Sequence, residues 1–90
     1  MVSQIRRSSV SVASNIAEGA GRNSGSDKIR FFTIARGSLM ELDTQIEIAN
    51  ELGYCGEESL ENIRLLLDDV SRLLSGLISS RKIRNVEINS

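Results

Sequence analysis

The sequence predicts an all-α fold: an antiparallel up-down helical bundle with three helices in this chain. Apolar residues recur at alternating three- and four-residue spacing along two long stretches, as they do in packed helices. Proline is absent, so nothing in either stretch breaks a helix, and aromatic residues make up only 3% of the chain. Glycine-containing breaks near 19–25 and 53–56 divide the 90 residues into three segments. Short connections of this kind make consecutive helices antiparallel neighbours.

The first helix is predicted over about 2–18. Its apolar side includes Val2, Ile5, Val12 and Ile16. Its other side carries small polar residues, among them Ser3, Ser8, Ser11 and Ser14. Small side chains either let a neighbouring backbone approach closely or simply face solvent, and both interpretations stay open at this point.

The second helix is predicted over about 26–52, with Ser24 and Asp27 in the spacing of an N-terminal cap. The 3-4 seam consists of Phe32, Ala35, Leu39, Leu42, Ile46 and Ala49. Further apolar residues, including Ile34 and Ile48, make the apolar side wider than a surface helix needs. We therefore expect this helix to meet partners on two sides, and we expect Gly53 to end it.

The third helix is predicted over about 57–82, with Glu57 and Glu58 favourably placed in its positive first turn. Its seam consists of Leu60, Ile63, Leu67, Val70, Leu74 and Leu77. We expect one domain over residues 1–84 and a frayed tail over 85–90.

The composition argues against an enzyme. Histidine is absent, which removes the imidazole base and the histidine metal ligand, and the single cysteine allows no internal disulfide. The glycines near 19–25 lack the Gly-Lys-Ser/Thr signature of a phosphate-binding loop. We expect no catalytic residues, no metal, no cofactor and no small-molecule substrate. No apolar run approaches the length of a membrane span, so we expect a cytoplasmic protein without a membrane partner.

Charge is segregated along the chain although the net charge is only -1. Residues 1–36 carry six basic and two acidic side chains, 37–69 carry one and nine, and 70–90 carry four and one. Antiparallel packing would bring the start of the second helix and the end of the third to one basic pole. The candidate nucleic-acid or anion contacts at this pole are Arg22, Lys28, Arg30, Arg36, Arg81, Lys82 and Arg84.

Each part of this pole also has a structural interpretation. Residues 19–25 form an ordinary interhelix loop if no anion binds there. Arg81, Lys82 and Arg84 suit the negative C-terminal end of a helix whether or not they bind nucleic acid.

Three stretches resemble one bacterial family. They are SQIRR with VSVASNIAEG at 3–7 and 10–19, IRFF with IARGSLMELDTQ at 29–32 and 34–45, and LGY with LLSGLI at 52–54 and 73–78. They resemble the four-helix-bundle family known as the 23S rRNA-intervening-sequence, or S23-like, proteins. The resemblance implies a homo-oligomer, commonly a homopentamer, whose molecular role is largely unknown. Some members are encoded within ribosomal RNA genes, and a related branch binds nucleic acid.

The family usually carries a further helix before the SQIRR-like motif, whereas Met1 lies almost at that motif here. We expect either an internal start or a three-helix form of the bundle. The polar residues inside the motifs are candidate bundle or oligomer contacts: Arg6, Arg7, Asn15, Glu18, Glu41 and Gln45. For Arg6 and Arg7, the alternatives are salt bridges with neighbouring helices and contacts with RNA.

The sequence thus leads to a non-enzymatic, homo-oligomeric scaffold or adaptor, with RNA or DNA as a candidate partner at the basic pole. The alternative is a protein-interaction module whose exposed apolar seam accepts a helix from a different protein.

Overall fold

The protein consists of three α-helices in the computed structural model, which describes the backbone of residues 1–89 and the side chains of residues 1–82. The helices are α1 Val2–Gly21, α2 Gly25–Glu51 and α3 Glu57–Asn89, and the described backbone contains no strand. The all-α prediction is confirmed. α1 and α3 extend beyond the predicted ends at 18 and 82. The tail predicted to fray, 85–90, lies outside the described side chains.

Both connections are closed by specific backbone and side-chain hydrogen bonds. Ser24 Oγ accepts from the Asp27 backbone N–H at 3.2 Å, which is the N-terminal cap expected for α2. At the other end of α2, Gly53 has φ 82° and donates to Asn50 O, while Tyr54 N–H donates to Ala49 O. This pair of bonds is a Schellman motif, whose left-handed position favours glycine.

α2 is the central element of the fold. α1 and α3 each pack against α2, and within the described residues they do not pack against each other. The wide apolar side of α2 therefore contacts neighbours on two sides, as its sequence indicated. The molecule measures 52 × 21 × 15 Å. The buried core consists of Val12, Phe32, Ala35, Leu39, Ile46, Leu60, Leu67, Leu74 and Ile78.

Glycine permits the closest approach between α1 and α2. Gly19 is buried against Phe32, and a Cβ placed on it would lie 2.7 Å from Phe32 Cε1. Only a residue without a side chain leaves room for the ring there. Gly19 thus lets the end of α1 lie directly over the start of α2.

A salt bridge joins α2 to α3 at the opposite end of the molecule. Arg64 Nε donates to Glu47 Oε1 at 3.0 Å, and this hydrogen bond with the nearby carboxylate charge raises the pKa of Arg64 above its ordinary value. Counting along the antiparallel helices from this pair places Arg81 level with Arg30.

Candidate functional site

An apolar groove of about 360 Å³ runs between α1 and α3, with α2 as its floor. It is lined mainly by Val12, Ala13, Ile16, Leu39, Leu42, Ile63, Leu66, Leu67 and Val70. Leu66 is 64% exposed, and Leu73, seven residues later on the same side of α3, is 59% exposed. The lining is apolar apart from Ser9, which is the character of a surface that accepts the apolar face of another helix.

A second cavity, of about 440 Å³, lies between α1 and α2 and has a polar lining. It is lined by Gln4, Arg7, Ser8, Ser11, Ser38, Glu41 and Gln45. The Ser11 and Ser38 hydroxyl oxygens are 2.7 Å apart, and Ser8 is only 6% exposed. We refer to it as the polar cavity.

The polar cavity resolves the two interpretations of the serine-rich side of α1. Ser8 and Ser11 lie where α1 approaches α2, whereas Ser3 and Ser14 face solvent. Close approach therefore accounts for the first pair and simple exposure for the second. Residue spacing alone did not identify Ser38 as the partner of Ser11.

The polar cavity contains groups that lack partners. Gln45 Oε1 is fully buried and accepts no hydrogen bond in the structure. Arg7 and Glu41 both line the cavity, yet neither forms a salt bridge among the described residues. A buried acceptor without a donor costs about 1–3 kcal/mol, so this arrangement is unfavourable in the isolated chain.

The six candidate polar contacts therefore separate into three groups. Arg7, Glu41 and Gln45 meet at the polar cavity. Asn15 Nδ2 donates within α1 to Ser11 O at 2.8 Å, and Glu18 accepts from Arg22 at 3.0 Å. Arg6 is exposed and has no salt bridge to any described residue.

Two of the candidate nucleic-acid contacts, Lys28 and Arg22, already bond to other groups of the same chain. Lys28 Nζ donates to Gly19 O at 3.3 Å and to Ala20 O at 3.0 Å, so it satisfies carbonyl groups at the end of α1. Arg22 is the partner of Glu18. The sequence did not indicate that Lys28 acts as a cap, because the contact spans the turn between two helices.

Two arginine side chains near this turn contact the ring of Phe31. The guanidinium groups of Arg22 and Arg30 lie over its ring, 4.7 and 4.8 Å from the ring centre. Arg36 is half-buried on α2. On α3, Arg81 is half-buried and Lys82 exposed at the same end of the molecule. Arg84 lies outside the described side chains.

The described residues contain no group of three or more cysteine or carboxylate side chains placed to hold a metal ion. Cys55 is a free, half-buried thiol in the turn before α3. Among the helices that the structure describes, none combines the length and apolarity needed to cross a membrane.

Comparison with known proteins assigns the chain to a family. Among curated proteins, none matches the sequence. The family model for the 23S rRNA-intervening sequence protein matches residues 1–76, which include all of α1 and α2 and most of α3. The match thus covers the elements that form both the groove and the polar cavity. The chain belongs to the 23S rRNA-intervening sequence protein family.

Proposed function

We propose that the protein is a cytoplasmic, non-enzymatic scaffold that assembles with copies of itself. The observation that supports this most strongly is the groove between α1 and α3, an apolar surface that the described residues leave open. Soluble monomers rarely expose continuous apolar surface of this kind unless it is an interaction site.

The energetics of the groove favour association. Complete burial of a leucine side chain contributes about 1.5–3 kcal/mol. Leu66 and Leu73 are both more than half exposed, so a helix that covers them gains free energy from each. The groove offers no polar group beyond Ser9 for a small ligand to recognise. These features suit a helix and not a substrate.

Light scattering coupled to size-exclusion chromatography tests self-assembly. We expect a stable homo-oligomer, and five copies is the number that the family resemblance implies. Leu66→Gln combined with Leu73→Gln should lower the copy number or weaken association by about tenfold or more. Leu65→Gln is the control, because Leu65 is exposed on α3 but lies about 100° around the helix from the side that carries Leu66 and Leu73. A wild-type protein that stays monomeric at high concentration would refute the proposal.

The same groove supports the alternative, a helix supplied by a different protein. In that case the purified chain is monomeric or aggregates, and it becomes ordered only with its partner. A well-defined homo-oligomer formed by the purified chain alone counts against this alternative.

We further propose that the scaffold binds nucleic acid. The arginine side chains around Phe31 favour this. Arg22 and Arg30 share that ring, and Lys82 lies at the same end of the molecule. With so few aromatic residues, contacts would be mainly to phosphate groups, so binding should weaken steeply as salt rises.

Fluorescence anisotropy with a structured RNA and a duplex DNA tests this part. Arg30→Gln with Lys82→Gln should weaken binding at about 50 mM salt and flatten its salt dependence. Arg72→Gln is the control, since Arg72 is exposed but paired with Asp69 at 3.1 Å. If the intact oligomer binds neither probe at low salt, the nucleic-acid part is wrong and the scaffold part stands.

A further inference from the structure

We propose that the polar cavity between α1 and α2 receives the guanidinium group of Arg6 from a neighbouring copy of the chain. This inference rests on the proposed self-assembly and specifies a contact within it. It concerns the polar cavity and not the apolar groove, and it assigns a partner to groups that have none among the described residues.

Gln45 identifies what the cavity lacks. Its Oε1 is fully buried and accepts no hydrogen bond, although the cavity beside it has room for another group. A buried acceptor is stable only when a donor reaches it. In the proposed assembly, a small adjustment of the Gln45 side chain lets a donor from a second copy reach this atom.

The neighbours of Gln45 favour a donor that is also a cation. Glu41 brings an unpaired carboxylate to the same cavity, and the serine hydroxyls can accept further bonds. A guanidinium has five N–H donors in a planar fork and pairs well with a carboxylate. Arg7 of the same chain lines the cavity but forms no salt bridge with Glu41 in the described structure.

Arg6 is placed to supply that group to another copy. Ser8 is buried where α1 faces α2, and a residue two positions earlier on a helix points to the far side. Arg6 is accordingly exposed, and it lies in an N-terminal part of α1 whose first turn holds no acidic residue. The acidic residue of α1, Glu18, lies more than three turns from Arg6, and Glu41 of a neighbour would provide the anion that Arg6 lacks.

Arg6 and the polar cavity lie at the same level along the helix axes. Arg6 lies between Gln4 and Ser8, which line the polar cavity, so both features occupy the same level of α1. When two copies of the chain are related by rotation about an axis parallel to the helices, each residue keeps its level along that axis. Copies related in this way would bring the outward Arg6 of one against the cavity of the next, as in a head-to-tail ring.

Apolar residues flank the cavity as a contact of this kind requires. Ile34 and Ile48 are 45% and 41% exposed, and with Ser38, Glu41 and Gln45 they repeat a 4-3-4-3 spacing on one side of α2. That spacing forms a seam, polar in its middle and apolar at both ends. Covering the two isoleucines would shield the buried polar pair from water.

A charge-swap cycle tests the contact by sedimentation equilibrium. Arg6→Glu and Glu41→Arg should each weaken self-association by about tenfold or more, and the double variant should recover most of the loss. Arg6 points away from Glu41 of its own chain, so recovery in the double variant reports a contact between copies. Lys82→Glu, a charge reversal elsewhere on the surface, should leave association unchanged.

Gln45→Leu provides an independent test with two readouts of opposite sign. It removes an unpaired buried acceptor, so the dilute monomer should melt at a higher temperature, while association should weaken. A folded oligomer that is unaffected by either single charge reversal, or a double variant no better than the singles, would overturn the contact and leave the scaffold proposal standing. A wild-type protein that does not associate at all would overturn both the Arg6 contact and the scaffold proposal.

Discussion

The hydroxyl oxygens of Ser11 and Ser38 lie 2.7 Å apart across the interface between α1 and α2. This is a direct side-chain hydrogen bond between the two helices, and both serines line the polar cavity. Both are half-buried, and Ser11 Oγ also accepts from Asn15 Nδ2 at 3.3 Å, so the Ser38 hydroxyl depends on the pair more than the Ser11 hydroxyl does. The pair lets two helices approach closely without a bulky apolar contact.

We expect Ser11→Ala to lower the free energy of unfolding by about 1 kcal/mol, because it leaves the Ser38 hydroxyl without its partner. The double replacement with Ser38→Ala should cost less than the sum of the two single changes. Urea denaturation of the four proteins measures the coupling. Ser14→Ala is the control on the exposed side of α1, and additive effects would contradict the expectation.

Gly19→Ala should destabilise the protein by about 1–3 kcal/mol, because the added Cβ would lie 2.7 Å from the Phe32 ring. Thermal unfolding followed by circular dichroism measures the change. Gly21→Ala is the matched control, since its Cβ would meet nothing within 4 Å. Combining Gly19→Ala with Phe32→Leu should recover part of the loss. If the two glycine replacements had equal effects, the close approach would not be the cause.

Gly53→Ala should lower stability by about 1–2 kcal/mol, because φ at this position is 82° and an L side chain is strained there. Nothing lies within 4 Å of a Cβ at Gly53, so crowding would not contribute. Gly56→Ala in the same connection has equal space, and its φ is not positive. Chemical denaturation of both variants checks the prediction, which fails if they are equally stable.

Arg64→Gln should weaken the packing of α3 on α2, since it removes the salt bridge to Glu47. The raised pKa of Arg64 means that its contribution is fully present below the ordinary arginine value and is lost only as the pH rises through the folded value. The difference from wild type should therefore persist at neutral pH and shrink with added salt. Arg72→Gln, at an exposed pair within α3, should have a smaller effect. Unfolding at two salt concentrations measures both.

Much of the fold could be predicted from local patterns. The 3-4 spacing of apolar residues identified α2 and α3, an apolar side identified α1, and Ser24 and Gly53 indicated where α2 begins and ends. The wide apolar side of α2 indicated contact on two sides. These features depend on residues close together in the chain, where helical geometry alone fixes which side chains share a face.

The candidate sites were less predictable. The sequence motifs predict Arg7, Glu41 and Gln45 as polar contacts, but their meeting in one cavity depends on how α1 lies against α2. Charge position predicts Lys28 as a nucleic-acid contact, yet its ammonium group donates to carbonyl oxygens at the end of α1. Arg22 follows the end of α1 and Arg30 lies near the start of α2. The two come together because both guanidinium groups lie over the Phe31 ring.

The sequence by itself therefore determined the helices, their caps and the segregation of charge along the chain. Only the tertiary structure decided that α1 and α3 both pack on α2 and, over the residues that the structure describes, not on each other, which opens the groove. It also decided that Ser8 and Gly19, which periodicity does not distinguish from their neighbours, are buried. The physical reason is that periodicity shows which residues share a face of one helix. Whether those side chains are buried and hydrogen-bonded depends on which other helix lies opposite that face, and at what level along it.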